Sequence, residues 1–329
     1  MKLRTGPAGL LAWDEADGRW VALHAAAERH GRGEPVPPDV VTFLAGGDEL
    51  QARTRALLDA CRGDTSVTVD FPRAGLPFTP RSMRAFMVWD SHYTASARML
   101  VKRFFPRPVA AVAGGYERLT RQTFPPFKPK QRFYRTPSFY MANHAAVLAD
   151  GEPMWWPSHT SHLDFELELA CVLAHPIADA TPAEAAAAVG GWFVLNDWSA
   201  RDVQADDVRN NPFGPVVKSK TFANSIGCDV VAASAIGDWR TATGRVRVDG
   251  EVWCEGTTAG AAHDVGDMLA YASAGERLEA GDVISTGTMP GCCGLELDRW
   301  IKPGQSVELE IDGIGTVANT IEGSTPRRF

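Results

Sequence analysis

In the stretch His162-Leu-Asp-Phe-Glu-Leu-Glu-Leu-Ala, acidic residues alternate with apolar ones. On a β-strand, successive side chains point to opposite faces, so Asp164, Glu166 and Glu168 would share one face and Phe165, Leu167 and Leu169 the other. Glu166 and Glu168 would then sit ~7 Å apart, aimed the same way. A polar strand face in water would show the same alternation. The next acidic feature shifts the balance. Trp192-Phe-Val-Leu is an apolar run that ends in Asn196-Asp197-Trp-Ser-Ala-Arg201-Asp-Val-Gln204. An acidic residue at the mouth of a buried strand, then a helix-start Ser with Arg and Gln one turn apart, reads as a site. Carboxylates brought together without compensation repel one another, whereas a divalent cation turns that repulsion into binding. All-oxygen ligation selects a hard ion, so Mg²⁺, Mn²⁺ or Ca²⁺ fits, whereas the Cys/His spacing of a zinc site is missing.

Two other groupings offer less. His159-x-x-His162 fits no common zinc signature and reads as a surface turn before the strand. Cys292-Cys293 lies in Gly-Thr288-Met-Pro-Gly-Cys-Cys-Gly-Leu-Glu296, where small residues in a tight turn explain it and no paired base marks a thiol nucleophile.

The elements that must position these residues are legible in part. A hairpin is expected over residues 10–23 around the turn Asp17-Gly18, then a short helical segment after Pro37-Pro38 and a helix over 49–61 stopped by Gly63. These form a small N-terminal α+β unit, residues 1–76. The stretch 71–80, FPRAGLPFTP, is the best candidate boundary, leaving residues 77–329 as a second domain. Helices are expected over 81–104 and 181–189, the latter opened by Thr-Pro with Glu184 in its first turn. Most of the rest reads as strand, including hairpins around Asp249-Gly250 and Asp312-Gly313. The fold class is therefore α+β and strand-rich, nearer a β-roll or barrel than a doubly wound sheet.

Composition narrows the function. With 45% apolar and 22% charged residues the chain is globular. A net charge of −7, with no basic run longer than Arg327-Arg328, excludes a phosphate-driven nucleic-acid binder. The longest stretch without a polar side chain, 185–195, is far short of the ~20 residues of a membrane span. The first residues reach acidic positions before any useful apolar run, and six cysteines show no C-x-x-C pair, so a reduced cytoplasmic setting is expected. No G-x-G-x-x-G follows a strand and no G-x-x-x-x-G-K occurs, which leaves nucleotide cofactors without support.

Five motifs, in order, resemble the fumarylacetoacetate hydrolase family over roughly residues 77–321: LDFELELA (163–170), NDWSARDVQ (196–204), KTFANSIG (220–227), GEVWCEG (250–256), and GDVISTGT through CGLELDRW (281–300). The resemblance implies a mixed β-roll catalytic domain, a Mg²⁺ or Mn²⁺ site and a homodimer. It further implies that Glu166, Glu168 and Asp197 are the metal carboxylates, and that Arg201, Gln204 and Lys220 polarise and neutralise substrate oxygens, with Tyr140 and Thr288 as further substrate contacts. The family's R-D-F-x-x-F-E-x-H stretch is similar to residues 84–92, which makes His92 the water-activating base and Glu296 its orienting partner. Two positions depart from the pattern. Ala85 stands where an aspartate that some members use as a fourth ligand is usual, and Met87 replaces an aromatic residue.

The function these readings imply is hydrolysis of a carbon–carbon bond in a β-diketo or 2-oxo acid, with the metal as Lewis acid holding an enolate and His92 activating water. A decarboxylase, hydratase or isomerase of a 2-oxo acid on the same platform is the alternative. A non-catalytic binding protein is a further alternative, opposed by the joint presence of Glu166, Glu168, Asp197, Lys220, His92 and Glu296.

Overall fold

The computed structural model describes residues 1–31, 33, 35–70, 75–214 and 216–323. Its backbone is a twelve-stranded mixed sheet packed against a five-stranded one. At the centre of the large sheet is Glu166–Leu173, which carries the two candidate glutamates and is buried along its whole length. It runs antiparallel to Val189–Asn196 on one side and to Val283–Cys293 on the other. A strand covered on both faces cannot have a solvated polar side. Accordingly Leu167, Leu169 and Cys171 join the core shared with Val246, Leu309 and Val317 of the small sheet. Ala170 and Val172 join the opposite core, with Leu3, Phe43 and Leu44. Glu166 and Glu168 belong to that second set by alternation, at the end of the strand where the apolar packing gives way to a cavity.

Residues 1–70 fold as the expected α+β arrangement, with strands Lys2–Gly6, Gly9–Asp14 and Arg19–Ala22 and helices Leu23–His30, Val40–Ala45 and Gly47–Ala60. The sheet runs on from there: Leu3 pairs with Val230, so the N-terminal strands extend the same twelve-stranded sheet. Of the expected boundary 71–80, residues 71–74 lie outside the described residues, as do Arg327 and Arg328. The hairpins around Asp249-Gly250 and Asp312-Gly313 form as expected. Thr181 caps Pro182–Ala187 in a reciprocal box with Glu184.

The expected helix over 81–104 is corrected at its start. Met83–Phe86 is a buried strand, parallel to Val283–Cys293 and antiparallel to Phe139–Ala142, and the helix begins only at Asp90. Four residues are too few to show a period, and both sheet partners are distant in sequence. The helices that the sequence does not predict include two of nine or more residues beyond residue 104. Arg107–Thr120 carries Gly114-Gly115 in its interior, and Val265–Ser273 is opened by an Asp264/Asp267 capping box. Cys292 and Cys293 end the strand Val283–Cys293 and do not sit in a tight turn.

Candidate active site

Ladder pairing breaks at Phe165. Leu163–Asp164 pairs with Ser199–Ala200, and Glu166–Leu173 with the main sheet. The break separates Asp164 from the two glutamates that alternation placed beside it. Glu166 and Glu168 remain together, and the register against Val283–Cys293 shifts on either side of Glu168, as at a β-bulge that re-aims a side chain. Asp197 arrives from the end of the neighbouring strand. Its N–H donates to the Glu166 carbonyl at 3.2 Å, and Asn196 Oδ1 accepts from the Glu166 N–H at 2.9 Å. One carboxylate oxygen from each of Glu166, Glu168 and Asp197 lies within 4.8 Å of the others, and all three residues are buried.

Two cations neutralise part of this charge. Lys220 donates to Glu166 Oε2 and, at 2.8 Å, to Asp197 Oδ2. Arg201 is almost wholly buried and directs its guanidinium to protein: Nε to Asp164 Oδ2 at 2.7 Å, Nη2 to Glu166 Oε1 at 2.6 Å and Nη1 to Gln204 Oε1 at 2.9 Å. Burial opposes ionisation of Glu166, but Lys220 and Arg201 outweigh it and hold this carboxyl below the usual range. Burial, reinforced by Asp197 and Glu166, pushes Glu168 well up, and burial also raises Asp197. Tyr140 donates its hydroxyl to Asp197 Oδ2, and burial with that anion keeps the phenol protonated. Glu168 accepts from Ser285 and, at 3.2 Å, from Thr288.

A divalent cation fits these residues. Among the described residues, Asp197 Oδ1 is buried without a hydrogen-bond partner, and Glu168 has hydroxyl donors but no cation bonded to it. Oxygen donors carrying three formal negative charges form the set a hard ion takes. When bound, such an ion would supply Lewis-acid polarisation of substrate oxygens.

Across the same cavity sits a histidine–carboxylate pair. His92 lies in the first turn of the helix Asp90–Phe104, with Nδ1 at 2.5 Å from Glu296 Oε1. Glu296 belongs to the short helix Gly294–Leu297, directly after the strand that carries Ser285 and Thr288. Asp164, separated from Glu166 and Glu168 by the strand break, connects the two halves. Its oxygens accept the Gly294 and Leu295 N–H groups at 2.8 and 3.0 Å while also holding Arg201. Gly294 is required for this approach, because a Cβ there would meet Asp164 Oδ1 at 2.4 Å.

The cavity is about 580 Å³. Nine of the ten residues singled out from the sequence line it, and the tenth, Glu296, reaches it through His92. Ala85 and Met87 line it too. Sequence reasoning missed Ser285 and the linking role of Asp164; the only sequence signal for Ser285 is its place three residues before Thr288 in one strand. His159 packs edge-on against Phe222, and His162 sits between Phe104 and Trp300, apart from the carboxylates. Burial and the Glu296 charge push the Cys293 thiol far up, which leaves no thiolate to attack.

Residues 109–322 match the family described as fumarylacetoacetate (FAA) hydrolase C-terminal. The chain belongs to the fumarylacetoacetate hydrolase family. The chain is similar in sequence to enzymes of more than one reaction type. A 4-hydroxyphenylacetate degradation bifunctional isomerase/decarboxylase of Salmonella dublin is 31% identical over 198 residues, 60% of this chain and 42% of that protein. Oxaloacetate tautomerase YisK of Bacillus subtilis is 32% identical over 163 residues, 49% of this chain and 53% of its own length. The chain therefore spans about half the length of these relatives. The fold extends over nearly all of two solved structures. A putative HpcE protein from Mycobacterium smegmatis gives a TM-score of 0.69 at 21% identity, covering 99% of this chain and 100% of that one. Maleylpyruvate hydrolase from Sphingobium sp. SYK-6, solved with manganese(II) and pyruvate, gives 0.64 at 18% identity with the same coverage.

Proposed function

We propose that this fumarylacetoacetate hydrolase family member is a Mg²⁺- or Mn²⁺-dependent hydrolase that cleaves a carbon–carbon bond in a β-diketo or 2-oxo acid. The observation that carries the reading is the His92–Glu296 contact at 2.5 Å in the wall of the carboxylate cavity. A base held by a carboxylate is what attack by water needs. Glu166, Glu168 and Asp197 would hold the cation. Glu296, on Nδ1, fixes the tautomer so that Nε2 accepts a proton from water as its oxygen adds to the substrate carbonyl carbon. Of the three N–H groups of Lys220, two are committed to Glu166 and Asp197, and the third is available to the developing oxyanion. As the carbon–carbon bond breaks, its electron pair leaves on carbon as an enolate, and the imidazolium returns the proton. Arg201 acts here as a positioning residue, orienting Glu166 and Gln204.

The similarity to an isomerase/decarboxylase and a tautomerase favours a second reading, in which the same site stabilises an enolate without adding water. Comparing His92→Ala with the parent on an acylpyruvate and on oxaloacetate separates the two. General-base assistance is worth ~10²–10⁴-fold, so hydrolysis should fall by that order while decarboxylation changes little. Near-parent hydrolysis by His92→Ala would move the preference to the enolate-only reading. A cytoplasmic setting and a homodimer complete the proposal. All six cysteines are free and buried, in keeping with the first, and exposed Val112, Leu119 and Phe213 offer apolar surface for the second. No helix among the described residues is long and apolar enough to cross a membrane.

A further inference from the structure

The cavity has two chemically distinct ends. Every carboxylate in its lining belongs to the metal cluster, and its lysine and arginine, Lys220 and Arg201, are both bonded to those carboxylates or to Asp164. Much of the rest of the wall is apolar. It is built largely from one face of the helix that presents His92. Tyr93, Ala97, Leu100 and Val101 follow at the i, i+4, i+7, i+8 spacing of a single helical stripe and all line the cavity. Phe105, Phe127 and Phe139 supply aromatic surface around it. Among the described residues, the other polar groups of the lining are His92, the hydroxyls of Tyr93, Ser96 and Ser138, and Tyr140, Thr288 and Gln204, which are bonded to Asp197, Glu168 and Arg201, so the wall away from the carboxylates offers a tail anion no lysine or arginine.

We propose that this site selects a monocarboxylic 2-oxo acid whose far end is an alkyl or aryl tail, and discriminates against dicarboxylic substrates. The inference rests on the reading of the carboxylate cluster as the place where the 2-oxo head binds. A tail carboxylate entering the apolar end would lose its water and find no cation, and an unpaired buried charge is strongly disfavoured. A hydrocarbon tail gains from the same surroundings. The helix rises ~1.5 Å per residue, so His92 and Val101 are separated by roughly 13 Å along its axis. That length suits a tail of several carbons. Oxaloacetate and maleylpyruvate, which the names of two relatives state, are dicarboxylates, so the preference proposed here differs from theirs.

The test is isothermal titration calorimetry on Mn²⁺-loaded protein with 2-oxo acids that have no bond to hydrolyse: 2-oxobutyrate, 2-oxohexanoate, 2-oxooctanoate, 4-phenyl-2-oxobutyrate and the dicarboxylate 2-oxoadipate. Each buried methylene should tighten binding by roughly threefold, so affinity climbs from 2-oxobutyrate to 2-oxooctanoate. 2-Oxoadipate should bind at least ~10-fold more weakly than 2-oxohexanoate, which has the same six carbons. Val101→Trp, which fills the stripe, should compress the ratio of 2-oxooctanoate to 2-oxobutyrate affinity by ~10-fold or more. Flat affinity along the series, a dicarboxylate bound as tightly as its monocarboxylic counterpart, or no binding by any member overturns the proposal. The hydrolase reading fails separately. If affinities follow the series but acylpyruvates are not turned over, the specificity stands and the reaction assignment falls; turnover with no dependence on the tail gives the reverse.

Discussion

His92 and Glu296 stand 204 residues apart in the chain and 2.5 Å apart in space. The imidazole comes from the first turn of a helix and the carboxylate from a single helical turn behind the central sheet, so neither element can shift without separating them. Replacing the carboxylate while keeping the shape, Glu296→Gln, removes the anion that supports the imidazolium and leaves the base in place. The expected result is a drop in kcat smaller than the ~10²–10⁴-fold loss of His92→Ala, with metal affinity near the parent value in both. Steady-state kinetics beside calorimetry with Mn²⁺ would read this, and an equal loss for the two variants would assign Glu296 a role beyond orienting His92.

Metal and stability should be coupled through Glu168. Without an ion, its buried carboxyl is disfavoured as an anion by burial, Asp197 and Glu166. Glu168→Gln should therefore melt no lower than the parent in EDTA and lose most of the rise in Tm on adding Mg²⁺ or Mn²⁺. For the parent, ion at ~100 times its Kd adds about 2.7 kcal/mol. A Gln variant that keeps the full metal-induced rise would place the ion elsewhere.

Ala85 is buried in the strand Met83–Phe86 and lines the cavity, so a carboxylate introduced there can approach the cluster. Ala85→Asp is expected to tighten Mn²⁺ binding by supplying another anionic oxygen. Unchanged or weaker binding in a folded variant would show that residue 85 does not face the ion.

Asp164 binds both halves of the site, holding Arg201 and the N–H groups at the start of the Glu296 turn. Asp164→Ala should destabilise the fold by about 1.5–3 kcal/mol, since it removes a charged hydrogen-bond partner of the buried Arg201, which keeps Glu166 and Gln204. It should also lower kcat, because Glu296 and Glu166 lose their common anchor. Urea denaturation and kinetics on the folded fraction measure the two effects, and a loss of stability below about 1 kcal/mol would mean that Arg201 finds other partners.

Residues 102–135 carry nine Lys or Arg and one Glu in a chain of net charge −7. The same segment supplies Phe105, Pro126 and Phe127 to the cavity wall. A one-signed field at an entrance steers oppositely charged ligands, and salt shortens its reach from about 30 Å at 0.01 M to about 8 Å at 0.15 M. The association rate of 2-oxooctanoate, followed by stopped flow, is expected to fall roughly threefold or more across that range. A salt-independent rate would remove steering from the account.

How far the sequence led can be judged at particular residues. Period-2 patterns around Asp249-Gly250 and Asp312-Gly313 were legible because each hairpin closes locally. The pairing of Glu166 with Glu168 was legible for the same reason, since alternation is a property of one strand. Asp164 was misplaced on their face, because a break in pairing at Phe165 depends on Ser199–Ala200, partners that alternation within one segment cannot reveal. Met83–Phe86 was read as helix, as its strand character comes from neighbours about 50 and 200 residues away. The His92–Glu296 pair was reachable only through family resemblance, for no local spacing connects them.

The position of Val283–Cys293 between Glu166–Leu173 and Met83–Phe86 has a consequence for biosynthesis. Both flanking strands leave the ribosome first and must wait, each with an edge unpaired, for a strand made about 110 residues or more later. Until it inserts, Glu168 lacks Ser285 and Thr288, and His92 lacks Glu296. Such long-range closure slows folding and leaves sticky edges exposed meanwhile. A nascent chain stalled before residue 283 would thus hold Glu166, Glu168 and Asp197 and no finished site, a species that chaperones, not chemistry, must look after.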